Sequence, residues 1–151
     1  MPSGSSWGAF ASQEPELAQF GTARLTVAPA YLATIRPTGR PRVHPVTPIV
    51  TTSGLYLFME PSSPKGLDLR ERHWYALHNG VPDSGGTGGE FFLSGEAFPV
   101  DDAGVRRLAA AGASYDPADR YVLFELTIAE ARCNGYGDVP LPPRQRWTST
   151  T

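Results

Sequence analysis

The sequence predicts a mostly β fold with short helices, in which about six antiparallel strands curl into a closed or partly closed barrel. Three observations carry that expectation. Short runs of β-branched and aromatic residues recur along the chain, and clusters of turn residues separate them. The 16 glycines and 15 prolines favour turns over long helices. Pattern alone leaves a barrel and a sandwich both open.

Residues 1–11 are small and polar apart from Trp7 and Phe10, and read as a flexible arm before a single domain over 12–147. A helix is expected from near Ser12, with Glu14 and Glu16 in its first turn and Leu17, Phe20 and Leu25 on one face. Gly21 weakens it. YLATIR (31–36), the turn PTGR and RVHPVTPIV (42–50) read as a hairpin. Pro45 and Pro48 each remove a ladder donor, so the second strand belongs at an edge or carries a bulge. A turn over residues 51–54 leads to LYLFM (55–59).

Ser63 then stands as N-cap and Pro64 as first residue of a helix over 64–72. HWYALHN (73–79) and EFFLSGEAFPV (90–100) read as strands joined by a flexible GVPDSGGTGG. Asp101 or Asp102 caps a further helix with Val105, Leu108 and Ala109 as its apolar stripe. In YVLFELTI (121–128), Val122, Phe124, Leu126 and Ile128 share one face, and Glu125 and Thr127 the other. The tail supplies one short strand at most and frays over 148–151.

Length fits one domain with one core. Hydrophobic content of 40% and charge of 19% are ordinary for a globular chain. A net charge of −2 gives no reason to expect nucleic acid or an anionic membrane as partner. Cys133 is the single cysteine, which excludes an intrachain disulfide. With no signal-like start and no apolar run of about 20 residues, a cytoplasmic protein is expected.

Several chemistries fall away on inspection. GGTGGE lacks the Lys-Ser/Thr pair of a phosphate loop and precedes a strand. His44, His73, His78 and Cys133 form no compact ligand set, so no metal site is expected. No G-x-S-x-G elbow is present. What remains is LFMEPSSPKGLDLRER (57–72), where Ser62, Ser63, Lys65 and the N–H groups of Lys65, Gly66 and Leu67 converge on one point. That point reads either as an anion site or as a plain capped helix. His44 alternates with Arg42 and Val46 on one strand face, either lining a pocket or simply solvated.

The order of these stretches resembles the pyridoxamine 5′-phosphate oxidase-like superfamily of FMN-binding split barrels, which includes the flavin/deazaflavin oxidoreductases. The resemblance covers about residues 15–130 and rests on A-T-x-x-x-x-G-x-P (33–41) and S-x-K-x-x-x-L (63–69). It implies a six- to seven-stranded antiparallel split β-barrel. It also implies a homodimer with cofactor sites between subunits, and hydride transfer to or from a small organic substrate. The cofactor implied is FMN, with the deazaflavin coenzyme F-420 as alternative. Val46 and Thr47 would lie beside the flavin ring, Met59 near the ribityl chain, and Ser63 with Lys65 at the phosphate. His44 joins this set as the one side chain worth testing as a proton donor, and no catalytic residue is assigned. Pyridoxamine phosphate oxidases carry a second cation where Pro64 stands, an arginine and a lysine where His44 and Ile49 stand, and an arginine-rich tail signature reduced here to RQRW. The vitamin-B6 reaction itself is therefore not expected. The rival readings are a non-catalytic binder of flavin, haem or another tetrapyrrole for storage or sensing, and a cofactor-free barrel kept as an interaction module.

Overall fold

The computed structural model describes residues 3–27 and 29–150. The chain opens with two helices, α1 (Trp7–Gln13) and α2 (Pro15–Leu25). Ser6 caps α1 by accepting from the Ala9 N–H. Trp7 and Phe10 are 2% and 0% exposed. Their rings meet edge to face at 5.2 Å, Trp7 meets Phe91 at 6.3 Å and Phe10 meets Trp147 at 5.0 Å. The arm expected over 1–11 is therefore corrected over 7–11. Two aromatic anchors supply enough buried area to fix a segment whose other residues are small. Gly21 in α2 also has a reason, since a Cβ there would lie 2.4 Å from the Phe91 ring.

The strands are β1 (Ala30–Ile35), β2 (Pro41–Val46), β3 (Ile49–Val50), β4 (Leu55–Met59), β5 (Trp74–His78), β6 (Glu90–Pro99), β7 (Val122–Leu126), β8 (Glu130–Asn134) and β9 (Arg146–Thr148). Helices α3 (Pro64–Arg72) and α4 (Ala103–Gly112) interrupt them. The main path runs β2-β1-β5-β6-β7-β4-β3, all antiparallel, with β8 added beside β6 and β9 beside β8. The predicted hairpin is present with Leu32 opposite His44 and Thr34 opposite Arg42.

The strand expected over 42–50 breaks at Thr47–Pro48, and its two pieces sit at opposite ends of the path. Consecutive residues can occupy opposite ends only if the sheet curls, which makes it a half-barrel. Two strands also share one side of β6. Residues 90–94 pair with β8 and 97–99 with β7. Gly95 sits at the change, where a Cβ would lie 2.1 Å from the Thr127 carbonyl oxygen.

Most buried apolar residues form one cluster inside the curl, including Phe10, Leu17, Leu32, Leu57, Leu77, Phe91, Phe124 and Leu126. A smaller cluster of Ile49, Tyr56, Ala109 and Leu123 lies under α4. Asp102 caps α4, but Leu108 is 63% exposed and only Ala109 of the expected stripe is fully buried. The 80–89 connection is organised by the Asp83 carboxylate, which accepts from the Thr87 N–H and hydroxyl. His73 closes α3 at φ 60° instead of opening β5, and its ring stacks on Phe98 at 4.4 Å. At the other end, β9 runs to Thr148 and the Ser149 N–H donates to the Ala129 carbonyl, so fraying is not seen before Thr150. Among the described residues, no helix is long and apolar enough to cross a membrane, and no group of three or more His, Cys, Asp or Glu could hold a metal ion.

Candidate functional site

The site begins with how α3 starts. Ser63 is extended at φ −63° and ψ 135°, and its Oγ accepts from the Gly66 N–H at 3.2 Å. Its carbonyl accepts from Leu67 N–H at 3.0 Å. Pro64 has no N–H to lose. The sequence offered three open donors here; the structure leaves only the Lys65 N–H without a partner among the described residues. A Cβ at Gly66 would lie 2.9 Å from Ser63 Oγ and 3.6 Å from Met59 Sδ. The turn therefore sits directly on the buried Met59, which is 3% exposed.

A strap fixes α3 against the first hairpin. Asp68 is 3% exposed and accepts from Thr34 Oγ1 and Arg42 Nε, both at 2.8 Å. Arg72 donates through Nε to the Ile35 carbonyl at 2.7 Å and reaches Asp68 through Nη2 at 3.5 Å. Burial alone would raise the Asp68 pKa, but the bonds from Arg42 and Thr34 and the charges of Arg42 and Arg72 prevail and hold it below the usual range.

Along β2, Arg42, His44 and Val46 lie opposite Thr34, Leu32 and Ala30, whose side chains are buried, so all six share the inward face. Val46 is 9% exposed, and Thr47 is exposed where the chain leaves β2. His44 is pushed below its ordinary pKa by burial and then by the charges of Lys65, Arg42 and Arg36, against the opposing charge of Asp68. Its imidazole is thus neutral at pH 7. Burial also lowers Lys65, and no carboxylate pairs with it among the described residues.

The structure therefore brings His44, Met59, Ser63 and Lys65 to the start of α3, with Val46 two residues along the same strand face. Thr47 lies at the exposed corner. Among the described residues the edge of β2 has no strand partner on its far side, in keeping with the proline-marked edge read from the sequence. Sequence reasoning missed Asp68 and Thr34, and it named Arg42 only as a strand neighbour of His44. The available signal for Arg42 was its alternation with His44.

No family model matches the chain, and no curated protein matches it either. Solved structures do. A heme binding protein from Mycobacterium smegmatis superposes with TM-score 0.67 at 18% identity over 88% of this chain, which spans 57% of that protein's length. A conserved hypothetical protein from Mycobacterium tuberculosis gives 0.68 at 18%, covering 91% of this chain and 94% of that one. A candidate pyridoxamine 5′-phosphate oxidase from Listeria innocua gives 0.58 at 14%, covering 78% and 93%. The chain has the fold of the pyridoxamine 5′-phosphate oxidase-like split barrels. Proteins of this fold with different named ligands appear among the matches, so the fold does not choose a cofactor.

Proposed function

We propose that this split barrel binds a phosphate-bearing flavin at the start of α3 and passes hydride between it and a small organic molecule. FMN is the first choice and coenzyme F-420 the alternative. One observation carries the reading. Lys65 is a partly buried ammonium with no carboxylate partner among the described residues, in the first turn of a helix whose dipole is already positive there. Such a group is held at a cost unless an anion joins it.

The residues present fit a phosphate. Lys65 offers Nζ and its open N–H, and Ser63 keeps its O–H to donate while its oxygen caps Gly66. Met59 would support the ribityl chain, and Val46 with Thr47 would flank the ring at the strand break. When bound, a flavin supplies the redox chemistry, and the chain supplies position and field. His44, neutral at pH 7, is suited to accept a hydrogen bond and a proton. A homodimer belongs to this reading. Val43 and Trp74, 64% and 48% exposed, share the outward face of the sheet on β2 and β5 and would be covered by a second copy.

Titrating FMN into the purified chain should quench its fluorescence with one flavin per chain at micromolar concentration. Absence of quenching by either FMN or F-420 sinks the proposal. Sedimentation equilibrium should show a dimer, and a monomer would remove the shared face from the argument.

A second reading has its own support. A neutral imidazole is the form that ligates iron, and the fold is shared with a protein named for heme binding. In that reading the chain stores or senses haem without catalysis, and His44 is the residue that would bind the iron. Haem addition would then give a Soret band that His44→Ala removes, while FMN leaves the spectrum unchanged.

A further inference from the structure

A cavity of about 370 Å³ lies where the end of α2, the start of β1 and the 80–88 loop meet, walled by Arg24, Val27, Pro29, Tyr31, Val81 and Pro82. That volume falls within the roughly 300–1,000 Å³ of small-ligand sites. Its walls are mostly apolar, and Val27 at 80% and Tyr31 at 49% exposure leave apolar surface at its rim.

Asn79 and Thr87 also line the cavity, and its charged group is a guanidinium held rigidly. Arg24 Nε donates to the Gly88 carbonyl at 2.6 Å, and Nη1 donates to the Phe20 carbonyl at 3.0 Å. Its Cζ stands 3.3 Å above the centroid of the Phe20 ring. Two of its N–H groups are thereby used; the others have no protein partner among the described residues, and no carboxylate pairs with it. Its titratable neighbour is Cys133, whose thiol is pushed up by burial and so is uncharged at neutral pH. A fixed, partly desolvated cation on an apolar wall with no counter-charge is complementary to an amphipathic anion.

We infer that this cavity binds a small monocarboxylate with an aromatic or aliphatic body, its carboxylate on Arg24 and its body against Tyr31, Val81 and Pro82. The apolar walls and the single cation favour a carboxylate over a phosphate. This is not the site proposed at the start of α3. Tyr31 projects from the face of β1 opposite Leu32 and Thr34, which face inward with His44 and Arg42.

The test uses 1-naphthoate and its neutral relative 1-naphthamide, titrated calorimetrically into the full chain with and without saturating FMN. Naphthoate should bind at least about tenfold tighter than naphthamide, as a charge-assisted bond implies, and FMN should not displace it. Arg24→Gln should bring the two affinities together. Because Arg24 also ties α2 to the loop, Val81→Glu serves as a second variant. It places a carboxylate in the cavity while leaving the bonds of Arg24 intact, and should abolish naphthoate binding with the melting temperature unchanged. Equal wild-type affinity for the two probes overturns the inference. So does displacement by FMN, naphthoate binding undiminished in Val81→Glu, or no saturable binding up to millimolar probe.

Discussion

Helices α3 and α4 begin with the same local device and end up in different electrostatic states. Ser63 accepts from the Gly66 N–H, and Asp102 accepts from the Val105 N–H at 2.9 Å. In α4 the partly buried cation is spent, and Arg107 beside it is exposed. Arg106 donates to the carbonyls of Tyr121, Ala118 and Asp119 and lies over the Phe58 ring. In α3, Lys65 has no such partner, although Arg42 and Arg72 close by are paired with Asp68. The cap therefore marks a helix start in both places, and a partly buried, unspent cation is what sets the proposed site apart from a surface helix.

The comparison breaks most severely at Asp68. Asp68→Ala leaves Arg42 without its counter-charge and should cost about 3 kcal/mol of stability, measured by urea denaturation. The native carboxyl titrates below its unfolded value, so its contribution is full above the ordinary Asp pKa of about 3.9 and is lost as pH falls through the lower, native one. Asp68→Asn should lack that part of the acid limb. An unchanged acid limb would mean the strap is not where the stability lies.

The next largest effect separates binding from folding. Lys65→Ala should weaken FMN roughly ten- to hundredfold, the equivalent of about 1.5–3 kcal/mol. It should leave the melting temperature of the cofactor-free chain unchanged, because this lysine opposes the helix dipole. Equal FMN affinity in wild type and Lys65→Ala would make α3 a second α4.

Caps come third. Ser63→Ala and Asp102→Ala should each cost about 1 kcal/mol in thermal or urea unfolding. Only Ser63→Ala should also weaken FMN, and a matching loss in both would erase the contrast between the helices.

The smallest effect is in the pH dependence. His44 is held below its ordinary pKa in the free chain, and a phosphate beside Lys65 would offset the cations acting on it. FMN binding should therefore take up a proton and tighten a few-fold as pH falls toward the acidic side of neutral. Comparing wild type with His44→Gln cancels the titration of the phosphate itself. Identical pH profiles would place the phosphate away from His44.

Legibility in the sequence followed the range of the interaction. The β1–β2 hairpin, the cap at Ser63 and the edge position of the proline-bearing strand are set by neighbours in the chain, and period and turn chemistry expose them. The break at Thr47–Pro48 was only half visible. Alternation continues through RVHPVTPIV, and nothing local says that Ile49 will sit at the far end of the sheet. Trp7 and Phe10 were misread because two isolated aromatics among small polar residues carry no periodicity. Arg42 and Asp68 lie 26 residues apart, and their ion pair exists only once α3 has packed on the hairpin.

The aromatic contact between Phe10 and Trp147 sets the order of events during synthesis. Ser5 bridges to Ile128, its hydroxyl lies 2.8 Å from that of Ser149, and Trp147 Nε1 donates to Gln13 at 3.1 Å. Each of these ties joins residues near the start of the chain to residues that leave the ribosome more than a hundred positions later. While synthesis proceeds at about 5–20 residues per second, Trp7 can meet Phe91 once β6 has formed, but Phe10 stays without its Trp147 cover until the last residues emerge. The curl from β2 to β3 needs nothing beyond β7, but the cover over α1 is complete only after Trp147 has emerged. Such long-range closure is slow, so a nascent chain stalled before Trp147 should be a target for chaperones and proteases, whereas the released chain should not.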